Sequence, residues 1–275
     1  MIKKLLLAIC FGGILSCSNS DDRLGSDLND AILPEKISEI NLEANVIFDS
    51  KIKYNGTKIS EIIWSYGEKE VFQYEGDYIS KITTYNKQQQ EQKNQVFTYK
   101  NGKIASRTVT EFPYIESGDS FIKYISSTTY QWTSSDHVIE NTIFLNTSDL
   151  KPITREYFFS NGNCIKKLFV QDPNNNGFIT KVEYNYFYDN KINPLREVKG
   201  MQALFDSDYA INNLIREESK HTGTGPGATY STLTTYANEY NSNNYLTKRV
   251  SRFSTISNGN TTTRKEYTKA YIYNK

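Results

Sequence analysis

Residues 71–85 read VFQYEGDYISKITTY, two runs rich in Tyr, Phe, Ile and Thr that flank a Gly-centred turn. Phe72 and Tyr74 alternate with polar residues, which is typical of one face of a β-strand. Gly76 tolerates the positive φ that a tight antiparallel connection requires. The stretch therefore predicts a β-hairpin.

The hairpin pattern recurs along the chain. Its common frame is an aromatic residue, any residue, an aromatic residue, a Gly, Asn or Asp turn, and then an apolar residue. Similar stretches occupy residues 52–66, 96–109, 130–144, 157–170, 184–198 and 240–253. We predict an all-β fold, an antiparallel meander of repeated β-hairpins that forms an extended or curled sheet.

One segment departs from this pattern. In residues 201–217, MQALFDSDYAINNLIRE, apolar residues recur at the three- and four-residue intervals of one helix face. We therefore expect one short helical insertion near residues 201–216 that covers one end of the sheet. A partner-binding role for this apolar stripe is the alternative.

The composition is typical of thin, two-sided sheets. The 275 residues include 21 Tyr and 14 Phe, while mean hydropathy is −0.60. Tyr rings can lie at a sheet surface with their hydroxyl groups in water. The formal charge is +1, and it becomes −1 when Lys3 and Lys4 leave with an N-terminal leader. This balance does not attract nucleic acid, so no nucleic-acid partner is expected.

The N-terminus has the features of an export signal. Lys3 and Lys4 precede an apolar run over residues 5–15, which is too short to span a membrane. Residues 14–17, ILSC, resemble the bacterial lipobox, and the resemblance implies cleavage before Cys17 and acylation of that cysteine. Acyl chains on Cys17 anchor such a protein to a membrane. The alternative is a signal that is not cleaved or not lipidated.

These features predict three segments: a lipoprotein signal peptide over residues 1–16, a flexible tether over 17–44 and a single β-repeat domain over 45–275. The tether contains SNSDD at residues 18–22, which resembles the acidic signal that takes lipoproteins to the outer face of the outer membrane in Bacteroidota. We expect a protein anchored by lipid to the outer membrane, either periplasmic or surface-exposed. A solvated spacer without an address is the alternative reading.

The remaining cysteines agree with export. Cys10 leaves with the leader and Cys17 is lipidated, so Cys164 has no partner for an intramolecular disulfide. Cys164 lies in a strand-like run, and we expect it to be a small buried apolar residue rather than a nucleophile.

The repeat frame Y-x-Y-x-N-G-x-I resembles the YD or RHS-type repeat in the degenerate form found in Bacteroidota lipoproteins. Residues 188–194, YDNKINP, resemble the YD-x-K-x-NP signature that those lipoproteins carry near their last third. The resemblance covers residue 50 to the C-terminus and implies a β-hairpin repeat architecture. It implies no activity.

One stretch matches a calcium-loop pattern. In residues 172–183, DPNNNGFITKVE, the candidate ligands are Asp172, Asn174, Asn176 and Glu183. Strand-like runs on both sides place Glu183 too far along the second strand to fold back. A hairpin turn in which Pro, Asn and Gly provide backbone geometry is the simpler reading. We expect no cofactor.

A hydrolase is a further candidate. Residues 118–120, GDS, resemble the opening block of GDSL-type esterases, and the nearest equivalent of the required Asp-x-x-His is the stretch that ends at His221. Ser120 and His221 would then carry the chemistry. A Ser in a turn, without a triad, is the alternative, because that chemistry also needs an α/β scaffold.

Exposed aromatic rings are the remaining candidates for recognition, since rigid rings give contact area at low entropic cost. The candidate residues are Trp64, Tyr66, Tyr99, Tyr124, Tyr130 and Trp132. Cross-strand cohesion is the alternative role for these rings. We predict a non-enzymatic cell-envelope lipoprotein that acts in binding or surface structure, with a membrane partner through its lipid and a glycan or protein partner. The alternatives are a glycan-binding accessory lipoprotein and a small hydrolase that uses Ser120 and His221.

Overall fold

The computed structural model describes residues 31–41, 46–112, 123–146, 150–171, 180–205, 210–224, 229–257 and 260–275. Within these ranges the chain forms sixteen strands. They are β1 Pro34–Asn41, β2 Val46–Asn55, β3 Lys58–Trp64, β4 Lys69–Glu75, β5 Tyr78–Tyr85, β6 Glu91–Lys100, β7 Lys103–Glu111, β8 Tyr124–Trp132, β9 His137–Phe144, β10 Ile153–Ser160, β11 Asn163–Gln171, β12 Thr180–Ile192, β13 Asn212–Gly223, β14 Tyr230–Tyr240, β15 Leu246–Ser257 and β16 Asn260–Tyr273. No helix in the described ranges is long and apolar enough to cross a membrane.

The strands form a closed barrel. Each strand pairs in antiparallel fashion with the next one along the chain, and β16 returns to pair with β1. The closing ladder joins Ile37 to Tyr271 and Asn41 to Tyr267. Closure removes the exposed edges that an open sheet of this size would present.

The expected extended or curled sheet is therefore wrong. Its hairpins are present, but the sheet closes because β1, which lies inside the segment assigned to the tether, supplies a partner for β16. The YD/RHS architecture of stacked hairpins is wrong for the same reason. Local alternation predicts strands, yet it carries no information about whether the first and last strands meet.

The helical insertion is also wrong. The described residues between 201 and 216 contain one four-residue 3₁₀ helix, Met201–Leu204, and then the start of β13. Leu214 and Ile215 have helix-like spacing to Ile211, but β13 pairs with β12 from Asn212 onward and with β14 from Arg216 onward. Sheet pairing on two sides outweighs a weak local helical pattern.

The recurring unit is a bulged hairpin. Gly56, Gly76, Gly102 and Gly162 have φ of 67°, 57°, 74° and 75° in the turns after β2, β4, β6 and β10. A register shift lies beside each turn, as between Gln73 and Tyr74. These turns share one end of the barrel, which we call the plug end; the opposite end is the far end.

The plug end is filled by residues 193–205, the plug segment. Val198 and Met201 pack in one cluster with the barrel residues Ile52, Ile59, Phe72, Ile79, Ile82, Phe97 and Ile104. Met201 is 1% exposed. The strand residues in this cluster therefore point into the barrel, and their alternating neighbours point outward. The segment packs against β2–β7, and its last residue, Phe205, contacts Tyr157 and Phe159 of β10.

The outward face carries ion pairs beside exposed apolar side chains such as Ile47, Val96 and Val170. Cross-strand ion pairs join Lys36 to Asp49 (2.7 Å), Lys53 to Glu61 (2.8 Å), Lys166 to Glu183 (2.9 Å), Lys248 to Glu239 (2.9 Å) and Arg252 to Glu266 (2.6 Å). These residues alternate with inward ones; Lys53, for example, lies between Ile52 and Tyr54, which pack in or against the core. Charged side chains thus surround much of the barrel wall.

Candidate functional site

A cleft of about 900 Å³ lies at the plug end. It lies between the plug segment and the turns that follow β4, β6, β8 and β10. We call it the plug-end cleft. Its size is that of a site for a small organic ligand.

Aromatic rings form one wall of this cleft. Trp132, the last residue of β8, stacks on Phe159 of β10 with ring centroids 5.7 Å apart. Phe205, at the end of the plug segment, packs edge-on against Trp132 at 5.4 Å. The indole Nε1 of Trp132 donates a hydrogen bond to the carbonyl of Ile104 at 3.1 Å, which orients the ring. The ammonium group of Lys103 lies 4.0 Å from the Trp132 ring centroid.

Charged groups form the rim of the cleft. Asp77 accepts ion pairs from Lys199 at 3.2 Å and from Lys58 at 3.4 Å. The hydrogen bond from Lys199 lowers the pKa of Asp77. Asp136 accepts a hydrogen bond from Ser134 at 2.5 Å, which lowers its pKa as well. Both carboxylates are therefore ionised at neutral pH and offer acceptors to a polar ligand.

A second recess of about 340 Å³ lies inside the barrel, on the other side of Phe205. We call it the inner chamber. It is lined by Arg107, Tyr130, Glu140, Arg155, Tyr157, Cys164, Lys167, Tyr186, Leu204 and Phe205. Because Phe205 lines both recesses, it forms the wall between cleft and chamber.

Glu140 organises one side of the chamber. It is 3% exposed and pairs with the guanidinium of Arg155. The hydroxyl of Tyr157 donates to Glu140 at 3.0 Å, and that of Thr142 donates at 3.4 Å. Burial, followed by the nearby charge of Glu140, raises the pKa of Tyr157, so its hydroxyl keeps its proton. Burial raises the pKa of Tyr130 to about 12.

The other side of the chamber is cationic. The Nε of Arg107 is buried and has no hydrogen-bond partner among the described residues. Lys167 lies 4.5 Å from the ring centroid of Tyr184. Burial, and then the charge of Arg155, lower the pKa of Lys167. The alternation of β10 and β11 places Arg155 and Lys167 on the inward face.

A row of rings continues from the chamber toward the far end. Phe169 and Tyr184 are 6.2 Å apart and nearly parallel, at 13°. Tyr184 and Tyr186 are 6.0 Å apart at 5°. Phe169 and Tyr184 are diagonal neighbours on β11 and β12, and Tyr184 and Tyr186 are alternate residues of β12, so all three rings share the inward face. The rings give this side of the lumen an aromatic wall.

The six aromatic residues expected to act in recognition do not share one surface. Tyr130 and Trp132 pack against Phe205, and Tyr99 donates its hydroxyl to the carbonyl of Ile79 at 2.9 Å, all near the plug. Trp64 and Tyr66 stack at 6.0 Å at the far end, where Tyr66 is 46% exposed. Tyr124 begins β8, also at the far end. Of this set, Trp132 lines the plug-end cleft.

The other expected site residues are mostly outside the described ranges. Ser120, Asp172, Asn174 and Asn176 lie there. Glu183 is on the outward face of β12, paired with Lys166 at 2.9 Å. In the described ranges, no three His, Cys, Asp or Glu side chains come together as metal ligands.

His221 lies in β13 rather than in a loop. Its Nε2 is 3.0 Å from the hydroxyl of Ser219, and its ring stacks on Tyr230 at 4.1 Å. Burial lowers the pKa of His221, which keeps the imidazole neutral near pH 7. These contacts hold the ring against the barrel wall.

Six residues of the two recesses were not predicted from the sequence: Lys103, Phe159 and Phe205 in the cleft, and Arg107, Arg155 and Lys167 in the chamber. A signal for the chamber exists in the sequence. Arg155, Tyr157 and Phe159 alternate, as do Lys167 and Phe169, so a basic residue shares the strand face of the rings. A charge on the buried face of a strand marks a polar interior.

No protein-family model and no curated protein sequence matches this chain. Among solved structures, it is similar to a porin-like protein from Bacteroides vulgatus ATCC 8482, with 16% identity, a TM-score of 0.56, and a match over 89% of this chain and 99% of that chain. A porin-like protein from Bacteroides uniformis ATCC 8492 has 11% identity and a TM-score of 0.49, over 87% of this chain and 96% of that one. The first likeness supports the barrel fold, and the second is too weak to add to it. The expected membership of a YD/RHS-like repeat family is thereby corrected.

Proposed function

We propose that this protein is a non-enzymatic binding protein of the bacterial outer membrane, held there by lipid on Cys17, which recognises a glycan in the plug-end cleft. The observation that carries the proposal is the cleft itself, in which Trp132 and Phe159 form an aromatic wall below a rim of ionised carboxylates. Sugars present flat apolar faces and hydroxyl groups, and this combination of rings and acceptors suits both.

The charged side chains on the outward face favour a lipid anchor over insertion of the barrel. A barrel that spans a membrane presents an apolar outer band about 25 Å tall, and a Lys or Arg at its middle costs roughly 2–4 kcal/mol. Here the outward positions of β2 carry Lys51 and Lys53, and those of β11 begin with Lys166. The porin-like neighbour supports the outer membrane as the location. The charges support a barrel body that stands in water.

The plug segment favours binding over passage. Barrels of sixteen strands are wide enough to hold an aqueous channel. In this barrel Val198 and Met201 occupy the interior at the plug end, and Phe205 reaches the opposite wall. A ligand in the cleft would rest on this packed segment.

The test is a glycan array followed by calorimetric titration of the best glycan, with the mature chain carrying Cys17→Ala so that it can be handled without lipid. Trp132→Ala should weaken binding about tenfold or more, equivalent to roughly 1.4 kcal/mol of lost contact. Trp64→Ala is the matched control, because Trp64 lies at the far end. Melting curves of both variants confirm that binding is measured on folded protein. Glycan binding is ruled out if the unsubstituted barrel binds nothing on the array, and the cleft is ruled out if both variants lose affinity equally.

A further inference from the structure

We propose that the inner chamber is a binding site for the anionic group of a small ligand, a carboxylate, sulfate or phosphate. This site is separate from the plug-end cleft, since Phe205 lies between the two recesses. Its volume of about 340 Å³ accommodates such a group together with a small part of the molecule that carries it.

The first support is an imbalance of charge. The side chains that line the chamber include the cations Arg107, Arg155 and Lys167, and one carboxylate, that of Glu140. Glu217 also acts on Lys167 from β13, which still leaves an excess of positive charge. Charges inside a protein are normally matched, because removing an ion from water is costly.

The second support is that Glu140 is already fully engaged. One of its oxygens pairs with Arg155, and the other accepts from Tyr157. Within the described residues, no ion pair neutralises Lys167 or Arg107, and the Nε of Arg107 has no acceptor at all. Arg107 and Lys167 thus face the chamber without an ion pair at salt-bridge distance in the described ranges, and Glu217 acts on Lys167 only through its charge.

The third support is the type of donor present. A guanidinium offers a planar set of N–H groups that matches the oxygens of a carboxylate, sulfate or phosphate, and an ammonium adds a mobile point charge. The hydroxyl groups of Tyr130 and Tyr186 line the same space, and burial keeps both protonated as donors. An anion held here would replace the water that these groups lose on folding.

The fourth support is the aromatic wall next to the cations. Lys167 lies over Tyr184, and Arg155 lies 5.7 Å from the ring centroid of Phe169. These contacts position the cationic side chains along β11 and β12 in the absence of a ligand. The rings also offer apolar contact to the remainder of the ligand, toward the far end of the lumen.

The test uses four probes on the mature barrel: inorganic phosphate, sulfate, glucuronate, and glucose as the neutral counterpart of glucuronate. Calorimetric titration and thermal melting are measured against sodium chloride at equal ionic strength. We expect at least one anion to bind and to raise the melting temperature, while glucose does neither. The comparison of glucuronate with phosphate and sulfate identifies which source of the anionic group the chamber prefers.

Lys167→Gln and Arg107→Gln should each weaken anion binding by about tenfold or more, the effect of one charge-assisted contact. Lys166→Gln is the matched control, because Lys166 is the adjacent residue on the outward face and pairs with Glu183. Without an anion, Lys167→Gln should melt at a higher temperature than the unsubstituted protein, because an unmatched interior charge is removed. This readout distinguishes loss of a ligand contact from loss of the fold.

The proposal is overturned if none of the three anions exceeds chloride at equal ionic strength, or if Lys166→Gln and Lys167→Gln lose affinity to the same extent. Glycan binding in the cleft is read separately through Trp132→Ala. A negative result for anion binding in the inner chamber therefore does not affect the result for glycan binding in the plug-end cleft, and the reverse also holds.

Discussion

At the scale of single residues, Gly200 shows how closely the plug segment approaches the wall. Its φ is +82°, and a Cβ at this position would lie 2.9 Å from Cγ1 and 3.0 Å from the backbone N of Ile79. Gly76 shares the positive φ, at +57°, but a Cβ there would meet nothing within 4 Å. A substitution at either glycine would strain the backbone, but only a substitution at Gly200 would also bring a Cβ into contact with the barrel wall. The difference between the two substitutions therefore measures the cost of that contact.

We predict that Gly200→Ala lowers the free energy of unfolding by more than Gly76→Ala does. Both variants force a non-glycine residue into the left-handed region, at a cost of roughly 1–2 kcal/mol. Only Gly200→Ala must also displace the wall at Ile79, which adds about 1–3 kcal/mol. Denaturant unfolding of both variants measures the difference. Equal destabilisation would show that the plug segment does not sit tightly on β5.

A second residue-scale prediction concerns Cys164. The thiol is buried, and its burial raises the pKa to about 11. Since the thiolate is the reactive form, the folded protein should react with a thiol reagent at pH 8 far more slowly than the unfolded protein does. Labelling of the mature Cys17→Ala variant, with and without denaturant, measures this. Equal rates in both states would contradict the burial.

At the scale of elements, the stretch YDNKINP at residues 188–194 anchors the plug segment. Asp189 accepts hydrogen bonds from the backbone N of Lys191 at 2.9 Å and of Asn213 at 3.1 Å, and from the hydroxyl of Tyr240. Asn193 accepts from the backbone N of Leu195 at 2.9 Å, which begins the turn into the lumen. This stretch serves the geometry of the plug.

We predict that Asp189→Ala loosens the plug segment while the barrel stays folded. The substitution leaves buried backbone donors without an acceptor, at about 1–3 kcal/mol each. Amide exchange in residues 193–205 should become faster, and exchange in the ladder between β4 and β5 should stay slow. Asp136→Ala, in the turn after β8, is the control. Uniform acceleration throughout the barrel would assign Asp189 to the stability of the whole fold.

At the scale of the whole molecule, the outward face of the barrel combines cross-strand ion pairs with exposed apolar side chains such as Ile47, Val96 and Val170. Inside, an apolar cluster around Met201 fills the plug end, and charged side chains line the inner chamber. A barrel that spans a membrane presents a continuous apolar outer band, and the outward ion pairs of this barrel interrupt such a band. Exposed ion pairs of this kind add little to the free energy of unfolding.

We predict that the mature Cys17→Ala variant is soluble, folded and monodisperse without detergent, and that it moves from the membrane fraction to the soluble fraction of the cell. Cys164→Ala is the control and should remain with the membrane fraction, because it keeps Cys17, the proposed lipidation site. Sedimentation and circular dichroism check both variants. Aggregation of Cys17→Ala in the absence of detergent would indicate that the barrel wall itself enters the membrane.

The hairpins could be predicted from the sequence, because the features that produce a hairpin lie within a few residues of one another. Alternation of Phe72 and Tyr74 with polar residues, and a glycine that accepts positive φ at residue 76, act over a few residues. The helix-like spacing at residues 212–216 misled the prediction, because these residues pair with the neighbouring strands of the sheet, β12 and, at Arg216, β14. Six aromatic residues that the barrel places at opposite ends were also grouped together.

The amino-acid sequence by itself determined that the chain is a series of antiparallel hairpins whose strands have two different faces. Both signals, the alternation of residue types with period two and the residues that form turns, depend only on residues close together in the sequence. Only the tertiary structure decided that β1 closes on β16, which face is the inner one, and that residues 193–205 fill one end of the lumen. Closure depends on residues more than 200 positions apart, such as Ile37 and Tyr271. The cationic chamber exists because closure turns the basic positions of three separate strands, at Arg107, Arg155 and Lys167, toward one another.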